Sequence, residues 1–95
     1  MRYEISSKAD RQIDEIIAFT DDWFGTDQTS AYLYGLYDSF DVLADNPHYG
    51  RPWRGIYYRY PYQRHWIYYR IDRRGSVGVP VIVNIVHQLR GHNDI

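Results

Sequence analysis

Seven arginines lie among aromatic side chains between residues 51 and 74, the densest concentration of cationic groups in this 95-residue sequence. A guanidinium group beside an exposed ring suits a nucleic-acid strand, a phosphate, or an acidic and apolar peptide. Four further polar side chains follow the next apolar segment: Asn84, His87, Arg90 and His92. The pattern predicts a binding surface and leaves the class of partner open.

Several of these residues also have a purely structural interpretation. Trp53 could close a loop onto the core, and His65 could be a half-buried histidine whose hydrogen bonds are satisfied. Arg59 and Arg70 could be cross-strand neighbours that reach acidic helices. For any single residue the sequence does not separate structure from binding.

Other chemistries find little support in the sequence. The glycines at positions 50, 55, 75, 78 and 91 belong to turns, so no phosphate-binding loop precedes a helix. The histidines are not spaced as metal ligands, and no serine lies at a strand-to-helix elbow. The absence of cysteine excludes thiol catalysis and disulfide scaffolds. We therefore predict neither a metal site nor a cofactor.

The charge is divided sharply along the chain, although the formal net charge is only −1. Residues 1–50 carry three positive side chains and ten acidic ones, whereas residues 51–74 carry seven arginines and one acid, Asp72. Such asymmetry predicts a face that meets an anionic partner. The alternative is that the two halves pair their charges across a shared surface.

Length and composition predict one domain over residues 1–95, because a core of this size cannot be divided in two. No apolar stretch is long enough for a membrane span, and no secretory leader is visible. Together with the lack of cysteine, this predicts a cytoplasmic protein.

The first half of the chain predicts a short strand followed by two helices. Tyr3 and Ile5 alternate with polar residues as in a strand, and Ser7 precedes an apolar series spaced by threes and fours that ends near Gly25. A second such series runs to Asn46-Pro47, so the two helices form an antiparallel hairpin. Gly35 lies within the second helix. It predicts either a close crossing over the first helix or a position at which the helix simply tolerates a glycine.

The second half predicts a loop over residues 48–55 and then three strands, over 56–61, 65–71 and 79–86. Pro80 is expected at the start of the last strand, where a missing donor does least harm. The fold class is therefore α+β, in the order β-α-α-β-β-β, with the helical hairpin packed on one face of a small, mainly antiparallel sheet. Both faces of strand 65–71 are rich in aromatic residues, so one of them should remain available to a partner.

Several stretches, in a fixed order along the chain, resemble ParE-type toxins of the RelE/ParE superfamily, which stabilise plasmids and are unrelated to the topoisomerase subunit of the same name. They are residues 9–17, 43–52 with Asn46-Pro47 and Gly50-Arg51, 59–70, and 85–87. Each stretch is loose by itself, but the ordered set is specific and runs along nearly the whole chain.

The resemblance implies the fold described above and neutralisation by a cognate ParD-like antitoxin in a hetero-oligomer. The C-terminal segment of the antitoxin would lie against the helical hairpin and the sheet. Characterised relatives poison DNA gyrase, so the resemblance implies a gyrase inhibitor that acts by binding. The family offers no agreed catalytic assignment, so we predict no catalytic site and no direct binding of nucleic acid. The lack of an apolar span predicts no association with membranes.

Five residues match positions of the family motifs: Arg59, His65, Tyr69, Arg70 and His87. With the neighbouring arginines and aromatic residues they form the predicted partner-binding set: Trp53, Arg54, Tyr58, Arg59, Arg64, His65, Trp66, Tyr68, Tyr69, Arg70 and His87.

The RelE branch of the superfamily offers an alternative, because its members cut messenger RNA on the ribosome. They use lysine, arginine and tyrosine, or a glutamate with a C-terminal histidine-tyrosine pair, whereas here Lys8 is the only lysine and Gln88 follows His87. If the chain were such an endoribonuclease, the catalytic candidates would be His87, Arg90 and Arg70. A non-toxic protein-binding module of the same fold is the third interpretation.

Overall fold

The computed structural model describes residues 2–89, in which two helices lie against one face of a five-stranded sheet. The sheet order is β1-β5-β4-β3-β2; β1 runs parallel to β5, and the other neighbours are antiparallel. In chain order the elements are β1 (Glu4–Ile5), α1 (Ser7–Phe24), α2 (Thr26–Asp45), a 3-10 turn (Pro47–Tyr49), β2 (Arg51–Pro52), β3 (Tyr57–Tyr62), β4 (His65–Arg74) and β5 (Val77–His87). The predicted α+β class is confirmed, and β2 is a short additional strand within the predicted loop.

The helical hairpin is confirmed, with a different capping residue and a connection of one residue. Ser6, rather than Ser7, caps α1, because its hydroxyl accepts a hydrogen bond from the Ala9 amide at 3.1 Å. Gly25 alone separates the two helices, and its φ of +86° favours glycine. With one residue between them, α1 and α2 must fold back on each other as an antiparallel pair.

The core lies between the helices and one face of the sheet. Alternate residues of β4 point toward the helices, with Ile67 and Tyr69 fully buried there, while Trp66 and Tyr68 point to the opposite face. A β-bulge between Tyr68 and Tyr69 interrupts the β4–β5 register. The buried cluster contains Ala9, Ile13, Leu36, Phe40, Leu43, Ile67, Tyr69, Ile82 and Ile85.

Strand β5 lies inside the sheet, but β1 pairs with only two of its residues, Val81 and Ile82. Pro80 is the fourth residue of β5 rather than its first, so the predicted strand start was wrong. Because Pro80 comes just before the residues paired with β1, its missing N–H removes no bond of that pairing.

Gly35 makes a close approach to the sheet, whereas its position in the sequence predicted a close crossing over α1 or simple tolerance. A methyl group at this position would lie 2.7 Å from Cζ and 2.9 Å from Cε1 of Tyr62. The Tyr62 hydroxyl donates a hydrogen bond of 2.9 Å to the Tyr32 carbonyl, which holds the ring in place. The glycine therefore lets α2 sit directly on β3.

The Tyr69 side chain ties the 3-10 turn to the sheet. Its hydroxyl donates to the Pro47 carbonyl at 2.7 Å and accepts from the Gly50 amide at 3.0 Å. Burial raises the pKa of Tyr69 to about 12, although the Gly50 hydrogen bond opposes the shift. The neutral phenol is thus part of the folded structure.

We expect Gly35→Ala to destabilise the fold by about 1–3 kcal/mol, because the clash with Tyr62 outweighs the gain of about 1 kcal/mol in helix propensity. Urea unfolding followed by circular dichroism measures the change. Tyr62→Leu should relieve the clash, so the double variant should lose less stability than the two single changes summed. Ser30→Ala, on the exposed surface of α2, is the control. Strict additivity would contradict the close approach.

Tyr69→Phe should cost about 1–3 kcal/mol at pH 8, because two backbone groups lose their partner. In the wild type, the stability that accompanies the raised pKa of Tyr69 is fully present below pH 10, the ordinary tyrosine pKa. This stability is lost as the pH rises toward 12. The variant should therefore show a shallower loss of stability over that interval. Urea midpoints at pH 8, 10 and 11 test this, and equal slopes would refute the assignment.

Candidate functional site

The sheet face turned away from the helices, here called the far face, carries arginine and aromatic side chains. Cross-strand partners share a face, and Arg59 of β3 is paired with Tyr68 of β4. Trp66 and Arg70 flank Tyr68 on the same side of β4. The far face is thus the predicted surface of mixed arginine and aromatic character.

Three residues of this face form what we call the arginine stack: Trp53, Arg59 and Trp66. The Arg59 guanidinium carbon lies 4.1 Å from the centroid of the Trp53 ring and 4.0 Å from that of Trp66. Both distances are within the range of cation–π attraction. The Arg54 guanidinium lies 5.2 Å from the Trp53 ring. All three members of the stack are partly buried.

The loop that precedes β3 places Trp53 in the stack. Its amide donates to the Tyr57 carbonyl at 2.8 Å, and the Tyr57 amide donates to the Arg54 carbonyl at 2.9 Å. The Trp53 ring also lies 5.9 Å from that of Tyr68. The loop is therefore anchored at both ends of its turn.

The predicted partner-binding set divides between two sides of the sheet. Tyr58, His65, Tyr69 and His87 face the helices, because they share faces with core residues of the same strands. Arg64 is exposed in the turn between β3 and β4. The remaining predicted residues belong to the far face or its loop: Trp53, Arg54, Arg59, Trp66, Tyr68 and Arg70.

Tyr68 and Tyr69 need a correction as candidate contact residues. Both side chains are fully buried, so a partner that binds the surface of this structure does not reach them. Tyr69 packs under the helices and stacks on Tyr58 at 5.5 Å, and Tyr68 underlies the arginine stack. Each ring packs on one face of the sheet. Residue type alone did not distinguish such buried rings from exposed ones.

Most arginines of residues 51–74 have no counter-ion in the described part of the chain. Arg70 and Arg74 pair with Asp72, and Arg74 also pairs with Glu4 at 2.7 Å. The hydrogen bond from Arg74 holds the pKa of Glu4 below its usual value. Within residues 2–89, no salt bridge engages the other five arginines: Arg51, Arg54, Arg59, Arg64 and Arg73. Arg74–Glu4 is thus an ion pair that joins the two halves within the described residues.

A groove of about 730 Å³ lies on the helix side, between the helical hairpin and the end of the sheet. Its apolar walls include Ile16, Phe19 and Phe24 of α1 and Ile85 of β5. Phe19 and Phe24 are 60% and 65% exposed, and two such exposed phenylalanines on one helix are unusual. The polar lining residues are Lys8, Gln12, Glu15, Thr20, Gln28, Gln63, Arg64, His65, Asn84 and His87.

Gln12 covers the edge of β5 where β1 no longer runs. Its amide donates to Asn84 Oδ1 at 2.6 Å, and its carbonyl oxygen accepts from the Ile85 amide at 2.7 Å. Asn84 is 2% exposed, and its Nδ2 group makes no hydrogen bond in the described part of the chain. The groove therefore has a polar floor beneath apolar walls.

A tyrosine and two histidines meet at the mouth of the groove. The Tyr32 hydroxyl is hydrogen-bonded to His65 Nδ1, and the rings of His65 and His87 lie 5.4 Å apart on paired positions of β4 and β5. Burial is the main cause that raises the pKa of Tyr32, and Tyr62 adds to it. The Tyr32 hydroxyl is therefore neutral at physiological pH.

The structure separates Arg70 from His87, two of the three catalytic candidates. Arg70 lies on the far face opposite Val81, whereas His87 faces the helices six residues further along β5, about 20 Å at the usual rise per residue. Arg90 and His92 lie outside the described residues. In residues 2–89, no cluster of three possible metal ligands occurs. Neither α1 nor α2 is long and apolar enough to cross a membrane.

The groove was not predicted from the sequence. Gln12, Phe19 and Tyr32 were not among the candidate residues, although the apolar positions of α1 extend beyond the single stripe that its core contacts require. That excess of apolar residues was the available signal. The partners of Gln12 come from β5, more than 70 residues later in the chain, so its role was not visible in the sequence.

Comparison with known proteins agrees with the resemblance seen in the sequence. A family profile described as "ParE toxin of type II toxin-antitoxin system, parDE" matches residues 3–91. The chain is 33% identical over 90 residues to "Toxin ParE1" of Mycobacterium tuberculosis, in both the CDC 1551 / Oshkosh and the H37Rv strains. The alignment covers 92% of this chain and 89% of the relative.

Proposed function

Because the chain belongs to the ParE toxin family of type II toxin–antitoxin systems, we propose that it inhibits DNA gyrase by binding and is neutralised by a ParD-like antitoxin. Toxin and antitoxin then form a hetero-oligomer in the cytoplasm. The groove between the helical hairpin and the sheet is the observation that carries the antitoxin part of this proposal.

The groove suits an amphipathic segment of another chain. The exposed rings of Phe19 and Phe24 offer an apolar wall to one face of such a segment, and Arg64 at the rim offers a cation to acidic residues. This agrees with the acidic, amphipathic antitoxin tails that the family resemblance implies. Binding there would also remove the exposed apolar surface of α1 from water.

The separation of Arg70 from His87 supports action by binding. Cleavage of a phosphodiester by these two side chains would require them to lie close together, and they do not. Gyrase as the target rests on the resemblance to characterised relatives. The charge distribution agrees with a protein target, because five arginines of residues 51–74 have no counter-ion among residues 2–89.

One observation favours the alternative endoribonuclease. Tyr32, His65 and His87 are in contact beside an open groove, and histidines in such a setting can transfer protons. An RNA-cleaving toxin would use these side chains and would not need Arg70. Mapping of transcript ends after induction separates the two functions, because only the endoribonuclease creates new ends in translated messages.

Purified protein should inhibit supercoiling by gyrase or trap cleaved DNA, with inhibition saturating as the protein is added. His65→Ala combined with His87→Ala should retain this inhibition, because a protein that acts by occupancy needs no proton transfer. Normal supercoiling at saturating protein would contradict the gyrase target. Unchanged growth on expression without the antitoxin would favour the non-toxic binding module.

Phe19→Asp and Phe24→Asp should each weaken antitoxin binding at least tenfold, because a buried, unpaired carboxylate would face the apolar side of the bound segment. Calorimetry with the antitoxin encoded beside this gene measures the affinity. Tyr34→Asp is the matched control, since Tyr34 is an aromatic residue of α2 that is 81% exposed and does not line the groove. An equal loss in Tyr34→Asp, or none in either phenylalanine variant, would exclude the groove.

A further inference from the structure

We propose that the arginine stack is a carboxylate-binding site, in which Arg59 receives an aspartate or glutamate side chain of a partner protein. This inference rests on the proposed function only in that the chain acts by binding another protein. The site lies on the far face, on the opposite side of the sheet from the groove.

The geometry leaves only the edge of the Arg59 guanidinium available. Two indole rings, each about 4 Å from its central carbon, occupy the apolar faces of this planar group. Within residues 2–89, the guanidinium makes no hydrogen bond or ion pair. Its N–H donors lie in the plane of the group, and this edge matches a carboxylate in a bidentate contact.

The stack holds Arg59 in place before a ligand arrives. Arg59 lies in the middle of β3, paired with Tyr68 on one side and with Arg51 on the other. An arginine side chain normally loses considerable rotamer freedom when it binds, and here the two rings already restrict it. A carboxylate therefore meets a donor pair whose ordering is largely complete.

The surroundings are cationic on this part of the far face. Arg51 is directly opposite Arg59 in the β2–β3 pairing, and Arg54 lies beside Trp53. The described acid nearest along β4, Asp72, is already paired with Arg70 and Arg74. An incoming carboxylate is thus attracted by three arginines, and the nearest acid of β4 in the described part of the chain is already neutralised.

Charge and composition favour a protein carboxylate over a nucleic-acid phosphate. A nucleic acid carries charge along its whole length and would extend past these three arginines into the field of the ten acids in residues 1–50, and the formal net charge is −1. Proteins that bind nucleic acids through their backbones usually present a basic stripe and a high isoelectric point, whereas here it is about 6.4. The rings of the stack add apolar surface suited to a peptide chain.

The test uses tryptophan emission, because two of the three tryptophans belong to the stack. Trp23, which is 71% exposed on α1, is replaced by Phe to remove its signal. The full chain is titrated with a capped hexaglutamate peptide and, separately, with a thymidine oligonucleotide of equal charge, in low and in moderate salt. The peptide should change the emission with saturation, and the oligonucleotide should bind more weakly.

Arg59→Lys should raise the dissociation constant for hexaglutamate at least fivefold, because lysine keeps the charge and loses the planar donor pair. Arg73→Lys is the control, since Arg73 is exposed on β4 and also lacks an ion pair in the described residues. Trp66→Phe provides a second variant that keeps an aromatic ring and should weaken binding by a smaller factor. Urea midpoints establish that each variant folds.

Three results would overturn the inference: no saturable response to the peptide, equal losses in Arg59→Lys and Arg73→Lys, or tighter, Arg59-dependent binding of the oligonucleotide. The last would assign the site to phosphate. None of these results bears on gyrase inhibition or on the phenylalanine variants of the groove, so failure here is distinguishable from failure of the proposed function.

Discussion

Two helices joined by a single glycine can cover only one face of a five-stranded sheet, and the rest of the structure follows from this constraint. The covered face supplies the core, with Phe40 and Ile67 fully buried between the layers. The other face has no layer of secondary structure from residues 2–89 above it. Its large side chains must therefore pack on one another, and Trp53, Arg59 and Trp66 do so.

The groove depends on the shortness of β1. Because β1 pairs with only two residues of β5, the edge of β5 beyond Ile82 has no neighbouring strand from residues 2–89. Gln12 satisfies part of that edge, and α1 continues past it with exposed phenylalanines. An edge strand beside an apolar helix face is a common place for another chain to bind. Two distinct surfaces, one on each side of the sheet, thus remain for partners.

A toxin of a type II system has an antitoxin as its partner, and in our proposals its target is a second protein. The groove is mainly apolar with a polar floor, whereas the arginine stack is cationic with aromatic edges. Surfaces of such different character need not compete for one partner. In our proposals the groove serves the antitoxin, and the arginine stack adds a contact whose strength depends on salt.

By itself the sequence determined the α+β class, the order of the main elements and the charge asymmetry, because these follow from local periodicity and residue type. It also carried the family resemblance. Only the tertiary structure decided which face each aromatic residue occupies: Tyr68 and Tyr69 are buried, whereas Trp66 joins Arg59. Alternation along a strand defines two faces but not which one the helices cover, and contacts such as Gln12–Ile85 join residues far apart in the chain.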